Sequence, residues 1–273
     1  MIGAFATVDF RISIAAEKLF SIGGISVTNA MVTGLAGMII MVAILLYVVY
    51  KVRTGRYNRF VGLVQWVFEG LLKSIDDVVP DRVLARKVTP LAITIFFFVL
   101  INYWLSMLPG LDSIMIGGVP LLRSLTADLN FTLGLAIITV VTVQYYAIRH
   151  LGVLGNARRY FRNPVKDPIG SFEGILELIG ELSRGTALAL RLFGNAFAGE
   201  VLLIVIAVLT NYFASVTLPF FMAFELFIGF IQAYVFFILT LIFTSLAVTS
   251  HGDNSHDHSP ALESQTDPQA GMI

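Results

Sequence analysis

Residues 171–213 read SFEGILELIGELSRGTALALRLFGNAFAGEVLLIVIAVLTNYF. The segment is strongly apolar, yet it carries Glu173, Glu177, Glu181, Arg184, Arg191 and Glu200. As one helix its 43 residues extend roughly 65 Å at 1.5 Å per residue. That is about twice the roughly 30 Å hydrocarbon core of a bilayer. Residues 216–250 form a second apolar run of 35 residues, roughly 52 Å long as a helix. Neither helix fits upright in a membrane, so each requires steep tilt or a break, and Gly185 is the natural breakpoint in the first.

The rest of the chain has the same character. It holds 273 residues with 57% hydrophobic, 13% charged, a formal net charge of +0 and a mean hydropathy of +0.83. A soluble domain carries about 25% charged residues, so this chain cannot cover a globule with polar surface. An ordinary soluble enzyme, a disordered regulator and a basic nucleic-acid binder are excluded together. Zero Cys excludes disulfides, thiolate metal sites and cysteine nucleophiles. Three further stretches suit a crossing of about 20 residues: 28–50, 88–108 and 129–148. The second stops before the helix-ending pair Pro109–Gly110. With 175–212 and 216–250, five transmembrane helices follow. The fold class is an all-α polytopic membrane protein with two long, strongly tilted C-terminal helices, and residues 28–250 form its membrane domain.

Residues 1–27 contain Asp9, Arg11, Glu17 and Lys18 and lack the basic–apolar–small order of a cleavable signal. They read as a retained extracytoplasmic segment. Within 60–75, Phe60, Val61, Val64, Val67, Phe68, Leu71, Leu72 and Ile75 recur at helical spacing, with Gln65, Glu69 and Lys73 opposite. This is an amphipathic helix, lying either in the membrane interface or against other protein. The polar tail 251–273 reads as disordered, with metal binding by His251, His256 and His258 as the competing reading.

Thirteen of the 18 Lys and Arg fall in two loops. Lys51, Arg53, Arg56, Arg59, Lys73, Arg82, Arg86 and Lys87 occupy the first; Arg149, Arg158, Arg159, Arg162 and Lys166 follow the third span. Basic loops stay in the cytoplasm or its organellar equivalent. The N-terminus is therefore outside and the C-terminus inside.

A charge at the bilayer centre costs about 2.5–3.5 kcal/mol on insertion scales, so the intramembrane charges invite a functional explanation. At 100° per residue, Glu177, Glu181, Arg184, Arg191 and Asn195 share a sector of roughly 80°. Ala187, Gly194 and Ala198 flank Arg191, and small residues let another helix approach closely. Glu200 lies nine positions after Arg191, half a turn off its face, which excludes an intrahelical salt bridge. On the last helix Glu225, Gly229 and Gln232 share a stripe, so Gln232 can face Arg191 while Glu225 meets Glu200. Such a pair of acids suits a proton relay. Simpler readings stand beside these: Arg191 paired with an acid of its own chain, Gln232 and Asn195 as interhelical glue, Glu177 and Glu181 solvated at the membrane rim, and Asp128 as a helix cap.

Residues 188–203, LALRLFGNAFAGEVLL, resemble the signature of subunit a of the rotary F-type ATP synthase. SLTADLNFTL at 124–133, NYWLSMLP at 102–109 and IQAYVFFILTL at 231–241 are similar to other parts of that family. The resemblance covers roughly residues 89–250. It implies two tilted helices lying against a ring of c subunits, each bearing an essential carboxylate. Arg191 matches the arginine that attracts that carboxylate and blocks direct leakage between two offset half-channels. Asn195, Glu200 and Gln232 match further motif residues. Glu225 stands seven residues before Gln232, where some members have His and others Glu. Ala187 and Gly185 stand where Ser and Pro are common, departures that bear on local helix shape.

The resemblance also implies a non-catalytic channel subunit without a cofactor, partnered by the c ring, the subunit b peripheral stalk, the remaining synthase subunits and lipid. Asp128, Glu177 and Glu181 become possible half-channel linings, and the bacterial inner membrane the expected location. No GxxxxGK[ST] phosphate loop occurs in the chain, and no nucleic-acid partner is implied. Two alternatives fit less well. An ion-coupled secondary transporter would favour paired inverted repeats, and the sequence shows none. An intramembrane hydrolase needs a nucleophile–base or metal pair, whereas the His residues are His150 and three in the tail.

Orientation is directly testable because the chain has no Cys. A cysteine introduced at Arg56 or Arg159 should react with an impermeant thiol reagent only from the cytoplasmic side. One at Ser113 should react only from outside. Labelling of all three from one side contradicts the five-span topology.

Overall fold

The structure is a computed structural model that describes residues 16–22, 25–108, 115–116, 119–120, 123–160 and 168–249. Ser113, Arg162, Lys166 and the tail histidines lie outside the described residues, as do Asp9 and Arg11. The elements run β1 (Lys18–Ile22), β2 (Ile25–Thr28), α1 (Asn29–Arg53), α2 (Arg59–Val78), α3 (Arg82–Ser106), β3 (Met115–Ile116), β4 (Val119–Pro120), α4 (Leu129–Tyr160), α5 (Pro168–Thr210) and α6 (Ala214–Thr249). Five of these helices, all but α2, are long and apolar enough to cross a membrane. Among the described residues the strands form two small two-stranded antiparallel sheets, β1–β2 and β3–β4.

Side-chain caps set several helix starts. Thr28 accepts from the Met31 amide, and Asp81 accepts from the Val83 amide at 2.8 Å. The Asp81 cap explains why α3 begins before the apolar run: its first turns carry Arg82, Arg86 and Lys87. Asp128 plays the same part for α4, its carboxylate accepting from the Asn130 amide at 2.9 Å. The sequence leaves α2 two settings, interface or protein; one side packs within the chain and the other is open. Val61, Val64, Leu71 and Ile75 are buried within the chain, whereas Leu63 and Trp66 are exposed.

α5 runs unbroken for 43 residues, so of the two expected alternatives, steep tilt or a break at Gly185, the break does not occur. That glycine serves packing instead. A Cβ there would lie 2.8 Å from Val140 Cγ2, so the missing side chain lets α4 press against α5. The sharp bend falls in α4, where Gly152 has φ 74 and ψ 162, a conformation essentially confined to glycine. A straight helix would carry Tyr160 roughly 24 Å beyond Gln144. Instead the Gln144 amide donates to the Tyr160 hydroxyl at 2.7 Å, and Asn156 donates to Gln144 at 3.1 Å. The chain after Gly152 therefore doubles back.

α3 is the innermost span, burying Phe96, Val99, Tyr103 and their neighbours. Phe96 meets Phe230 and Phe237 of α6 edge-to-face, with centroids 5.9 and 6.2 Å apart, a favoured aromatic geometry. α5 lies at the periphery, with Leu182 at 73% and Leu209 at 77% exposure. Apolar surface on that scale is what lipid or a partner subunit covers.

Candidate functional site

The 3.6-residue period divides the middle of α5 into two stripes. Leu188, Ala189, Leu192, Ala196 and Gly199 are buried against the bundle. Ala187, Leu190, Arg191, Asn195, Ala198 and Leu202 face outward. A Cβ added at Gly194 would meet nothing within 4 Å, so the surface around Arg191 is open and studded with small residues. Among the described residues no ion pair or hydrogen bond engages the Arg191 guanidinium.

Behind this stripe two polar contacts join α5 and α3 to α6. Asn195 Nδ2 donates to Gln232 Oε1 at 2.6 Å, one turn along from Arg191. Gln232 is buried, and its Nε2 meets no acceptor among the described residues. Seven positions earlier on α6, roughly 10 Å along the axis, Glu225 is only 2% exposed. Its Oε1 accepts from the Tyr103 hydroxyl at 2.5 Å. The carboxylate rests on Gly199, where any Cβ would overlap it. Glu200, half-buried, is the next residue. Glu225 thus reaches the Gly199–Glu200 step of α5, and Gln232 meets the Arg191 face through Asn195.

A third contact set lies toward the start of α5. Glu181 is buried and accepts from both Gln144 Nε2 and the Tyr160 hydroxyl. Beside it a cavity is lined by Thr139, Val140, Glu181, Arg184, Gly185 and Phe243, among others. The Arg184 guanidinium carbon lies 5.7 Å from the Phe243 ring centroid, a cation–π distance.

These positions revise the single polar sector expected along α5. Glu177 is half-buried, Glu181 buried and Arg191 exposed. Residues that share a direction on a helix do not share an environment, because neighbouring helices cover it only over part of its length. Asp128 is engaged as the α4 cap. Sequence reasoning missed Tyr103 and Gly199. Gly199 adjoins a candidate acid, which was a usable signal, but nothing local marks Tyr103 as the partner of a residue 122 positions away.

Comparison with known proteins bears on what this arrangement belongs to. Residues 31–245 match the family described as ATP synthase A chain. The chain belongs to the ATP synthase subunit a family. It is 33% identical over 220 residues to the ATP synthase subunit a of Mycobacterium bovis, covering 79% of this chain and 84% of that one. To that of Desulforamulus reducens it is 31% identical over 246 residues, covering 87% and 86%. To ATP synthase subunit a 2 of Vibrio campbellii it is 31% identical over 238 residues, covering 84% and 90%. Membership in the subunit a family, with five apolar spans, makes this an integral membrane component of the ATP synthase complex.

The close seat of Glu225 on Gly199 yields a stability test. Gly199→Ala should force the carboxylate away and cost about 1–3 kcal/mol by overpacking, read as a lowered thermal midpoint of the detergent-solubilised protein. In a Glu225→Ala background the same Gly199→Ala change should cost much less, because the carboxylate it displaces is gone. An unchanged midpoint in Gly199→Ala contradicts the packing described.

Proposed function

We propose that this chain is the non-catalytic, proton-translocating stator subunit of an F-type ATP synthase in a bacterial inner membrane. In this reading it builds two half-channels against a ring of c subunits and couples proton flux to rotation. The observation that carries the reading is the exposed Arg191 on an outward stripe of small residues. A permanent cation in apolar surroundings is costly, and the stripe gives a partner helix close access. A carboxylate on the ring is the complementary group: it neutralises the guanidinium when ionised and leaves it when protonated.

Glu200 and Glu225 line the outer half-channel in this proposal, passing protons between exterior water and the ring. Gln232 and Asn195, linked by their amides, hold the arginine face in register with α6. Glu177 and Glu181 lie toward the inner half-channel, where the Glu181 cavity supports the assignment. Asp128 orders the start of α4 beside the outer path. The subunit b stalk and the remaining synthase subunits hold the chain still while the ring turns.

Arg191→Ala should abolish coupled ATP synthesis while the complex still assembles. Arg191→Lys should largely fail as well, because a compact ammonium lacks the planar fork of donors. Glu200→Gln and Glu225→Gln should each slow ATP-driven acidification of inverted vesicles, normalised to ATPase content, since an amide cannot take and release a proton. Their combined effect should be less than the sum of the two in ΔG‡, as for members of one relay. Normal pumping in Arg191→Ala membranes contradicts the central assignment. Near-normal flux in both Gln variants removes the two acids from the path.

A further inference from the structure

Glu225 has one carboxylate oxygen engaged and one available. Oε1 accepts the Tyr103 hydroxyl at 2.5 Å, and among the described residues no side chain donates to Oε2. The Tyr103 position is built from several sides. Its ring lies on Gly229, one turn along α6 from Glu225, where any Cβ would overlap the ring. The neighbouring Trp104 donates from Nε1 to the Leu226 carbonyl at 3.0 Å, pinning α3 to the same turn of α6. Tyr103 itself is fully buried. Two glycines on two helices therefore clear the space in which this pair sits, Gly229 for the ring and Gly199 for the carboxylate.

We propose that Tyr103 is a positioning residue of the proton path: its hydroxyl fixes Oε1 of Glu225 so that Oε2 exchanges the proton. The inference rests on the reading of Glu225 given above and adds a residue to it. A buried carboxylate on a flexible side chain otherwise rotates among several directions. A charge-assisted hydrogen bond from a rigid phenol, whose ring cannot move, selects one. The hydroxyl keeps its proton throughout, so the step remains a simple exchange at Oε2 and requires no tyrosinate.

The test uses the assembled ATP synthase in inverted vesicles, reading ATP-driven acidification normalised to ATPase content. Tyr103→Phe keeps the ring on Gly229 and deletes only the hydroxyl. It should slow flux by about tenfold, the lower range for a hydrogen bond to a charged group. Glu225→Asp keeps a titratable carboxylate but draws it back from the hydroxyl. In that background Tyr103→Phe should change flux by less than about twofold, because the contact is already lost. Normal flux in Tyr103→Phe overturns the inference, and so does an equal fold-loss in both backgrounds, which marks a role in packing alone. If Glu225→Gln pumps normally, the reading of Glu225 falls and this inference with it. If Glu225→Gln is slow and Tyr103→Phe is normal, only the role of Tyr103 falls.

Discussion

A guanidinium on the outward face of an apolar helix, with no acid paired to it among the described residues, calls for a neutralising group. Arg191 stands near the middle of α5, and its own helix directs the buried stripe of Leu188, Leu192, Ala196 and Gly199 the other way. Among the described residues no acid of its own chain pairs with it, and in the proposed reading a partner that carries negative charge neutralises it. Ala187, Gly194 and Ala198 keep the approach to it shallow enough for a helix to come near.

The remainder of the bundle holds that stripe in place. Glycines and buried polar pairs set the helix spacings. Gly185 admits Val140, Gly199 admits the Glu225 carboxylate, and Gly229 admits the Tyr103 ring. Asn195 and Gln232 lock α5 to α6 one turn from the arginine. Farther along α5, Tyr160 and Gln144 hold Glu181 where the chain doubles back after Gly152. Polar groups buried in this way are costly unless paired, so each pair fixes the register of the helices that contribute it. In lipid, where apolar contact alone discriminates little, such pairs carry much of the specificity.

Much of this was legible in the sequence. Hydropathy and length separate the five apolar helices, and the 3.6-residue period puts Arg191 beside small residues and Glu200 off its face. Two kinds of information were not. Continuity through Gly185 was hidden because a glycine reads as a break when its neighbour in space is unknown; Val140 of α4 is that neighbour. Pairings across long separations were hidden because they depend on how helices cross. Tyr103 with Glu225, and Tyr160 with Glu181, carry no local signal. The same limitation made one polar face of Glu177, Glu181 and Arg191, which the neighbouring helices divide into covered and open parts.

The claim that the outward stripe of α5 meets the c ring is open to direct measurement by proximity. The chain has no Cys, so a single cysteine at Ala198 is unique in it. A second cysteine is placed on the ring helix beside its carboxylate, and the membranes are treated with a mild oxidant. The account predicts an a–c cross-link from Ala198→Cys that halts ATP-driven pumping, and none from Ala196→Cys on the buried stripe. A cross-link from Ala196→Cys but not from Ala198→Cys contradicts it.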